Sequence, residues 1–277
     1  MPRDERGIAT VTIREDEQKM KTGLQRDIWR EERALKSRIV TYWDKRADSF
    51  RKQRDTDMKN GQYQVWEEEL ERRLPRKTGL RILDVGCGCG FFSLILAGRG
   101  HRVTGIDLTA NMVEQGRHLA EKYGIPVDLR QMDAEHLAFP AESFDAVISR
   151  NLTWTLPHPD EAYRQWLWVL KKGGILLNYD AEYARYHQAH GLDGEKAHGM
   201  LSAGQKAECL DIYRMLEVSR WKRPQWDIRF LRQNGCGEVE VDLQAGRRLF
   251  PGENQNQEDC PVFCIRAVKG SRDRQGE

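Results

Sequence analysis

The residues best placed to do chemistry lie in the run Leu83-Asp84-Val85-Gly86-Cys87-Gly88-Cys89-Gly90. Glycines at 86, 88 and 90 let a backbone turn tightly and let a ligand approach where a Cβ would stand, and a following helix N-terminus aims its amide hydrogens at that ligand. Seventeen residues beyond Gly90 comes Asp107, where an acid ending the next strand takes both ribose hydroxyls of an adenosine. A dinucleotide-binding turn wants glycine at the sixth place of Gly-x-Gly-x-x-Gly, and Phe91 stands there. Phe91 blocks close passage of a pyrophosphate, and Asp84 just before the turn suits a ligand carrying an ammonium group.

Those residues need a scaffold. From Arg81 onward, short apolar runs alternate with helical stretches, the pattern of a parallel sheet covered by helices. Strands are predicted at Arg81–Val85, Arg102–Ile106, Val127–Gln131, Phe144–Ser149 and Gly174–Tyr179, the last after a Lys171-Lys172-Gly173-Gly174 turn. Helices are predicted at Phe91–Ala97, Ala110–Tyr123 and Pro159–Leu170. The alternation lapses after Ala181, and 182–223 reads as a helical insert. Beyond it come a helix at Pro224–Asn234, a strand at Glu238–Leu243, a polar loop at Gly252–Asp259 and a strand at Val262–Val268. Two strands joined without a helix imply an antiparallel pair at the sheet edge. Upstream, Tyr63–Leu74 is amphipathic and Pro75–Gly79 breaks it, so residues 1–75 read as a helical extension or lid and 76–277 as the core.

Leu83–Gly90 with Asp107, Asp133 and the Lys171–Gly174 turn resembles a class I S-adenosylmethionine-dependent methyltransferase of the small-molecule type, over roughly residues 40 to 180. The resemblance implies an α/β, Rossmann-like, seven-stranded, mostly parallel sheet with its last strand antiparallel. It also implies S-adenosylmethionine as cofactor and S-adenosylhomocysteine as product. By it, Gly86, Cys87 and Gly88 line the methionine part of the cofactor, and Asp84 sits beneath its amino group. Asp107 takes the ribose, with Leu108 and Met112 near adenine. Asp133 accepts from the adenine amino group while the Ala134 amide meets a ring nitrogen, and Arg150 and Asn151 close over the methionine moiety. Tyr42 and Trp43 belong to a helix that forms a lid in this group.

Ligands of open parallel sheets bind beyond the carboxyl ends of the strands, which makes Tyr179, Asp180, Tyr183 and His187 the candidates for a general base. No metal is expected: His187, His190, His198 and Cys209 read as part of a solvated helical face, and Cys260 and Cys264 as core. The six cysteines are expected to be free thiols. A net charge of +2 leaves no field to hold a phosphate backbone, and Arg150-Asn151-Leu152-Thr153-Trp154 lacks the Asn-Pro-Pro-Tyr type of sequence, so nucleic-acid and amide acceptors are disfavoured. No apolar run is long enough to span a membrane and Met1 to Lys21 is densely charged. A cytoplasmic monomer or homodimer acting on a small molecule follows, with a non-catalytic cofactor-binding protein and an NAD-dependent oxidoreductase as the alternatives.

Overall fold

The computed structural model describes residues 30–192, 201–250 and 260–270. Seven strands, β1 (Arg81–Val85), β2 (Arg102–Asp107), β3 (Asp128–Gln131), β4 (Phe144–Arg150), β5 (Leu170–Asp180), β6 (Cys236–Asp242) and β7 (Phe263–Lys269), form one sheet in the order β3-β2-β1-β4-β5-β7-β6. The first five are parallel neighbours, and β7 runs antiparallel to both β5 and β6. The chain leaves β1 toward β2 and β3, then returns to the other side of β1 for β4. This reversal opens a crevice at the carboxyl ends of β1 and β4, where ligands of such sheets bind.

Both faces of the sheet are covered, so its strands are apolar on both sides. On one face Leu83, Val85, Val147 and Leu176 pack with Tyr163 and Trp166 of α6 (Pro159–Val169) and Leu231 of α9 (Gln225–Gln233). On the other, Ile82, Ile148 and Leu177 meet Trp66 and Leu70 of α3 (Gln62–Arg73) and Phe92 and Ile95 of α4 (Phe91–Gly98). Helix α5 (Ala110–Tyr123) follows β2 and packs on α2 (Ala47–Lys59).

A cap covers the crevice. It combines α1, a helix across 30–44, with α7 (Tyr183–His190), α8 (Ala203–Met215) and a 3₁₀ turn at Glu217–Arg220. Leu35, Ile39 and Tyr42 of α1 are buried against Cys209, Ile212 and Tyr213 of α8, and Arg38 grips Glu208 through two bonds of 2.8 and 2.9 Å.

Two expectations need correction. The Lys171–Gly174 turn is a bulge inside β5: the register with β4 steps from Phe144 opposite Leu170 to Ala146 opposite Ile175, and Gly173 takes φ +71°. The link from β6 to β7 is not free of helix, since α10 (Ala245–Leu249) packs its Ala245 and Leu249 beside Trp66. The polar stretch at 252–259 lies outside the described residues.

A buried ionic knot ties the cap's exit to the sheet. Arg223 reaches Asp180 at 2.8 Å and Asp227 at 2.7 Å, and donates to Thr153 at 2.8 Å. Tyr163 donates to Asp227 at 2.7 Å and Asn178 donates to Tyr163 at 2.8 Å. Removing one partner of such a pair strands the other charge in the interior. Arg223→Ala is therefore expected to destabilise the fold by about 3–5 kcal/mol in urea unfolding, because two carboxylates lose their cation.

Candidate active site

The turn after β1 is built from bare backbone. Gly86, Gly88 and Gly90 have φ of +66°, +53° and +78°, in the left-handed region that side chains disfavour. A Cβ on Gly88 would meet nothing within 4 Å, so this glycine borders open space. Asp107 holds the turn in place: its Oδ2 accepts from the Gly88 amide and its Oδ1 from the Thr109 amide, both at 2.9 Å. Each oxygen keeps a further lone pair for a ligand. Burial pushes the Asp107 carboxyl up, against those two amides. Asp84 is buried beneath the turn, accepts from Ser93 Oγ at 2.6 Å, and is raised to about 6 by burial, with Ser93 and Arg150 opposing.

The turn opens into a cavity of about 1130 Å³ that runs under the cap. Its lining includes Leu108, Met112, Asp133 and Ala134, together with Cys87, Arg150 and Asn151, while Trp43, Tyr183 and His187 contribute from the cap. The structure thus brings together most of the residues singled out in the sequence. Asp133 accepts from the Glu135 amide at 2.9 Å and from Lys36 of α1 at 2.6 Å. Burial would raise its carboxyl, but Lys36 and that amide hold it below the ordinary value. Lys36 also reaches Glu135 at 2.5 Å. Asn151 adopts φ +55° and donates its amide to the Tyr179 carbonyl at 2.8 Å, turning the chain away from the sheet at the cavity wall. The Arg150 guanidinium sits against Phe92, Phe91 and Trp66, 4.8 to 5.1 Å from their centroids, and burial lowers its pKa to about 9. Burial also raises the Cys89 thiol to about 12 and the Cys87 thiol well above its ordinary value, so both stay protonated. None of the six cysteines is in a disulfide.

Three sequence candidates stand elsewhere. Tyr42 points into the α1–α8 contact, where its hydroxyl accepts from Arg46 at 3.0 Å. Alternation along β5 sends Tyr179 and Asp180 to opposite faces. Tyr179 is buried beside Trp66 and donates to Glu69 at 3.3 Å, while Asp180 is tied to Arg223 in the ionic knot. His187 lies on no solvated face: it is 1% exposed, stacked between Tyr183 and Tyr213 at 6.0 and 5.8 Å. His190 is exposed against Tyr186, and His198 lies outside the described residues. Among the described residues, Asp133, Glu135 and His136 are the metal-type side chains that cluster within 4.8 Å, and Lys36 answers two of them.

Sequence reasoning missed Lys36, Trp154 and the inner face of α2, all of which line the cavity. Phe50, Gln53, Arg54 and Asp57 follow an i, i+3, i+4, i+7 pattern. That spacing marks one helical face, and two charges on it signal a polar cavity rather than core.

Residues 83–178 match a family model described as a methyltransferase domain. The chain is 40% identical over 107 residues to a phosphatidylethanolamine N-methyltransferase of Cereibacter sphaeroides, covering 37% of this chain and 52% of that protein. It is 38% identical over 120 residues to an S-adenosyl-L-methionine-dependent Diels-Alderase, iccD, of Talaromyces variabilis, covering 42% of this chain and 41% of that one. The chain spans about half or less of the length of these relatives. A solved phosphoethanolamine N-methyltransferase 2 of Haemonchus contortus, in complex with S-adenosylhomocysteine, shares the fold at TM-score 0.53 and 23% identity, over 73% of this chain and 52% of that one.

The Lys36 bridge is a direct tie between α1 and the cavity floor. Lys36→Met is expected to speed amide hydrogen exchange across 30–44 by about tenfold or more, with β1 amides unchanged, since local opening is governed by the contacts that hold a segment. Unchanged exchange in α1 would show that its apolar contacts with α8 suffice.

Proposed function

We propose that this chain, which belongs to the class I S-adenosylmethionine-dependent methyltransferases, moves the methyl group of S-adenosylmethionine to a small-molecule acceptor held under the cap. The observation that carries the reading is the turn of bare backbone, pinned by Asp107 and open at Gly88 to the cavity.

The residues fit that cofactor. Asp107 would take the ribose hydroxyls on its remaining lone pairs. Leu108 and Met112 would flank adenine, with Asp133 accepting from its amino group and the Ala134 amide meeting a ring nitrogen. Gly86, Cys87 and Gly88 would lie along the methionine chain, with Asp84 below its ammonium group and Arg150 and Asn151 beside it. Trp43 would close the pocket from the cap. Phe91, 2% exposed at the place of a third glycine, leaves no bare backbone there for the pyrophosphate of an NAD.

When bound, S-adenosylmethionine supplies a methyl group already activated on sulfur. This chain's part is then to align and enclose the acceptor, and holding two reactants in line contributes roughly 7–11 kcal/mol. Where the acceptor must lose a proton, Tyr183 and His187 are the candidate bases, because both line the cavity whereas Tyr179 and Asp180 are engaged elsewhere. A cavity of this size under the cap suits a small molecule, in keeping with the weak net charge of +2. No helix among the described residues is long and apolar enough to cross a membrane.

The likeness to a Diels-Alderase favours a second reading, in which the cofactor stays intact. Incubating the protein and a cell extract with methyl-labelled cofactor separates the two: label in a small molecule supports transfer, and tight binding without transfer supports the second.

Three outcomes are expected. Asp107→Ala weakens S-adenosylmethionine by about 1.5–3 kcal/mol in calorimetry, through loss of hydrogen bonds to a charged group. Affinity for S-adenosylhomocysteine rises as pH passes upward through about 6, where Asp84 ionises, and the rise disappears in Asp84→Asn. His187→Ala lowers turnover by about 10²–10⁴-fold at unchanged cofactor affinity; full turnover would remove His187 as the base.

A further inference from the structure

The cavity wall carries more hydrogen-bond donors than the described residues satisfy. Arg54 of α2 and Arg150 at the end of β4 stand against the same Phe91 ring, with guanidinium carbons 5.4 and 5.0 Å from its centroid. Each charge disfavours the other. Asp57 lies beside them, but its Oδ1 already accepts from Gln53 at 2.9 Å and its Oδ2 faces Arg54 Nη1 at 3.1 Å. Arg54 Nε is buried with no hydrogen-bond partner among the described residues. Arg150 meets three aromatic rings and, among the described residues, neither a hydrogen-bond acceptor nor an ion-pair partner.

A buried donor left open costs free energy, and so do two like charges on one ring. The cofactor does not settle this. Its methionine end brings one carboxylate and one ammonium, which cancel, and its sulfonium adds a positive charge. One carboxylate does not exhaust the donors of two guanidiniums.

We propose that the acceptor is an anion whose carboxylate or phosphate oxygens lie between Arg54 and Arg150, with Arg54 setting specificity for that group. This rests on the methyl-transfer reading. The planar fork of a guanidinium matches either group in paired hydrogen bonds, which an ammonium does not. Arg150 is shared with the cofactor's own carboxylate, and Arg54 serves the acceptor alone.

The test titrates benzoate, inorganic phosphate and neutral benzamide into full-length protein saturated with S-adenosylhomocysteine, and repeats this with Arg54→Gln, Arg54→Lys and Arg150→Gln variants shown to be folded by circular dichroism. At least one anion is expected to bind, about tenfold or more tighter than benzamide, and which one binds separates a carboxylate acceptor from a phosphate. Arg54→Gln should weaken that anion by about tenfold or more while S-adenosylhomocysteine affinity changes less than about threefold, Arg54→Lys should weaken it less, and Arg150→Gln should weaken both ligands. Binding of neither anion to the saturated protein overturns the proposal. So does an Arg54→Gln variant that loses S-adenosylhomocysteine affinity as much as anion affinity. Wild-type protein that does not bind S-adenosylhomocysteine overturns the methyl-transfer reading and this proposal with it.

Discussion

The hydrogen bond from the Gly88 amide to Asp107 joins the turn after β1 to the end of β2, beside the crevice. It makes the end of β2 report on the shape of the turn after β1, so the turn is held by a charge rather than by side-chain packing, which a bare backbone does not have. The packing lies one layer back. Gly105 and Gly116 leave no room for a Cβ, with Ser93 Oγ 2.5 Å and the Cys89 carbonyl carbon 3.1 Å from where one would be. The glycines thus divide into two kinds: those that open the turn to a ligand and those that let α4 and α5 close against its back. A side chain on the second kind would shift the turn without touching the ligand.

Above this floor, the cap is attached by interactions of different strength. The Arg223 knot is inside the protein and shut off from water, so it fixes the point where the insert rejoins the fold. The α1 contact combines an apolar patch with a half-exposed lysine bridge to Asp133 and Glu135. Lys36 holds α1 down by the same carboxylate that would receive the adenine amino group. In the proposed cofactor pose, acceptance of an adenine by Asp133 and retention of α1 would be coupled through one side chain, in which both oxygens can accept more than one donor.

The sheet was readable from the sequence because buried parallel strands are short apolar runs and their connecting helices are amphipathic. Asp84, Asp107 and Asp133 were readable because each sits at a strand's carboxyl end, where geometry leaves little choice of direction. The bulge in β5 was not, since Lys-Lys-Gly-Gly has the composition of a turn and only pairing with β4 shows that the strand runs through it. Nor could Tyr179 and Asp180 be sorted by position alone: both end the same strand, and the two-residue period sends one to Glu69 and the other to Arg223. Tyr42 and Trp43 show the same limit on a helix, where adjacent residues diverge and only Trp43 reaches the cavity.

What remained hidden has a common physical origin. Lys36 and Arg54 come from helices that precede the β–α alternation and Trp154 from the link between β4 and α6, and Lys36 becomes a cavity residue through a contact with Asp133, 97 positions away. Local pattern reports which face of a helix is apolar; it does not report that the face will be laid over a crevice instead of a core. On α2 that distinction rests on Arg54 and Asp57. A helix face that only filled core would gain nothing from two opposite charges, because their desolvation costs about as much as their attraction returns. Their presence on the buried face means that the cavity, and whatever polar group enters it, is part of what the α2 sequence encodes.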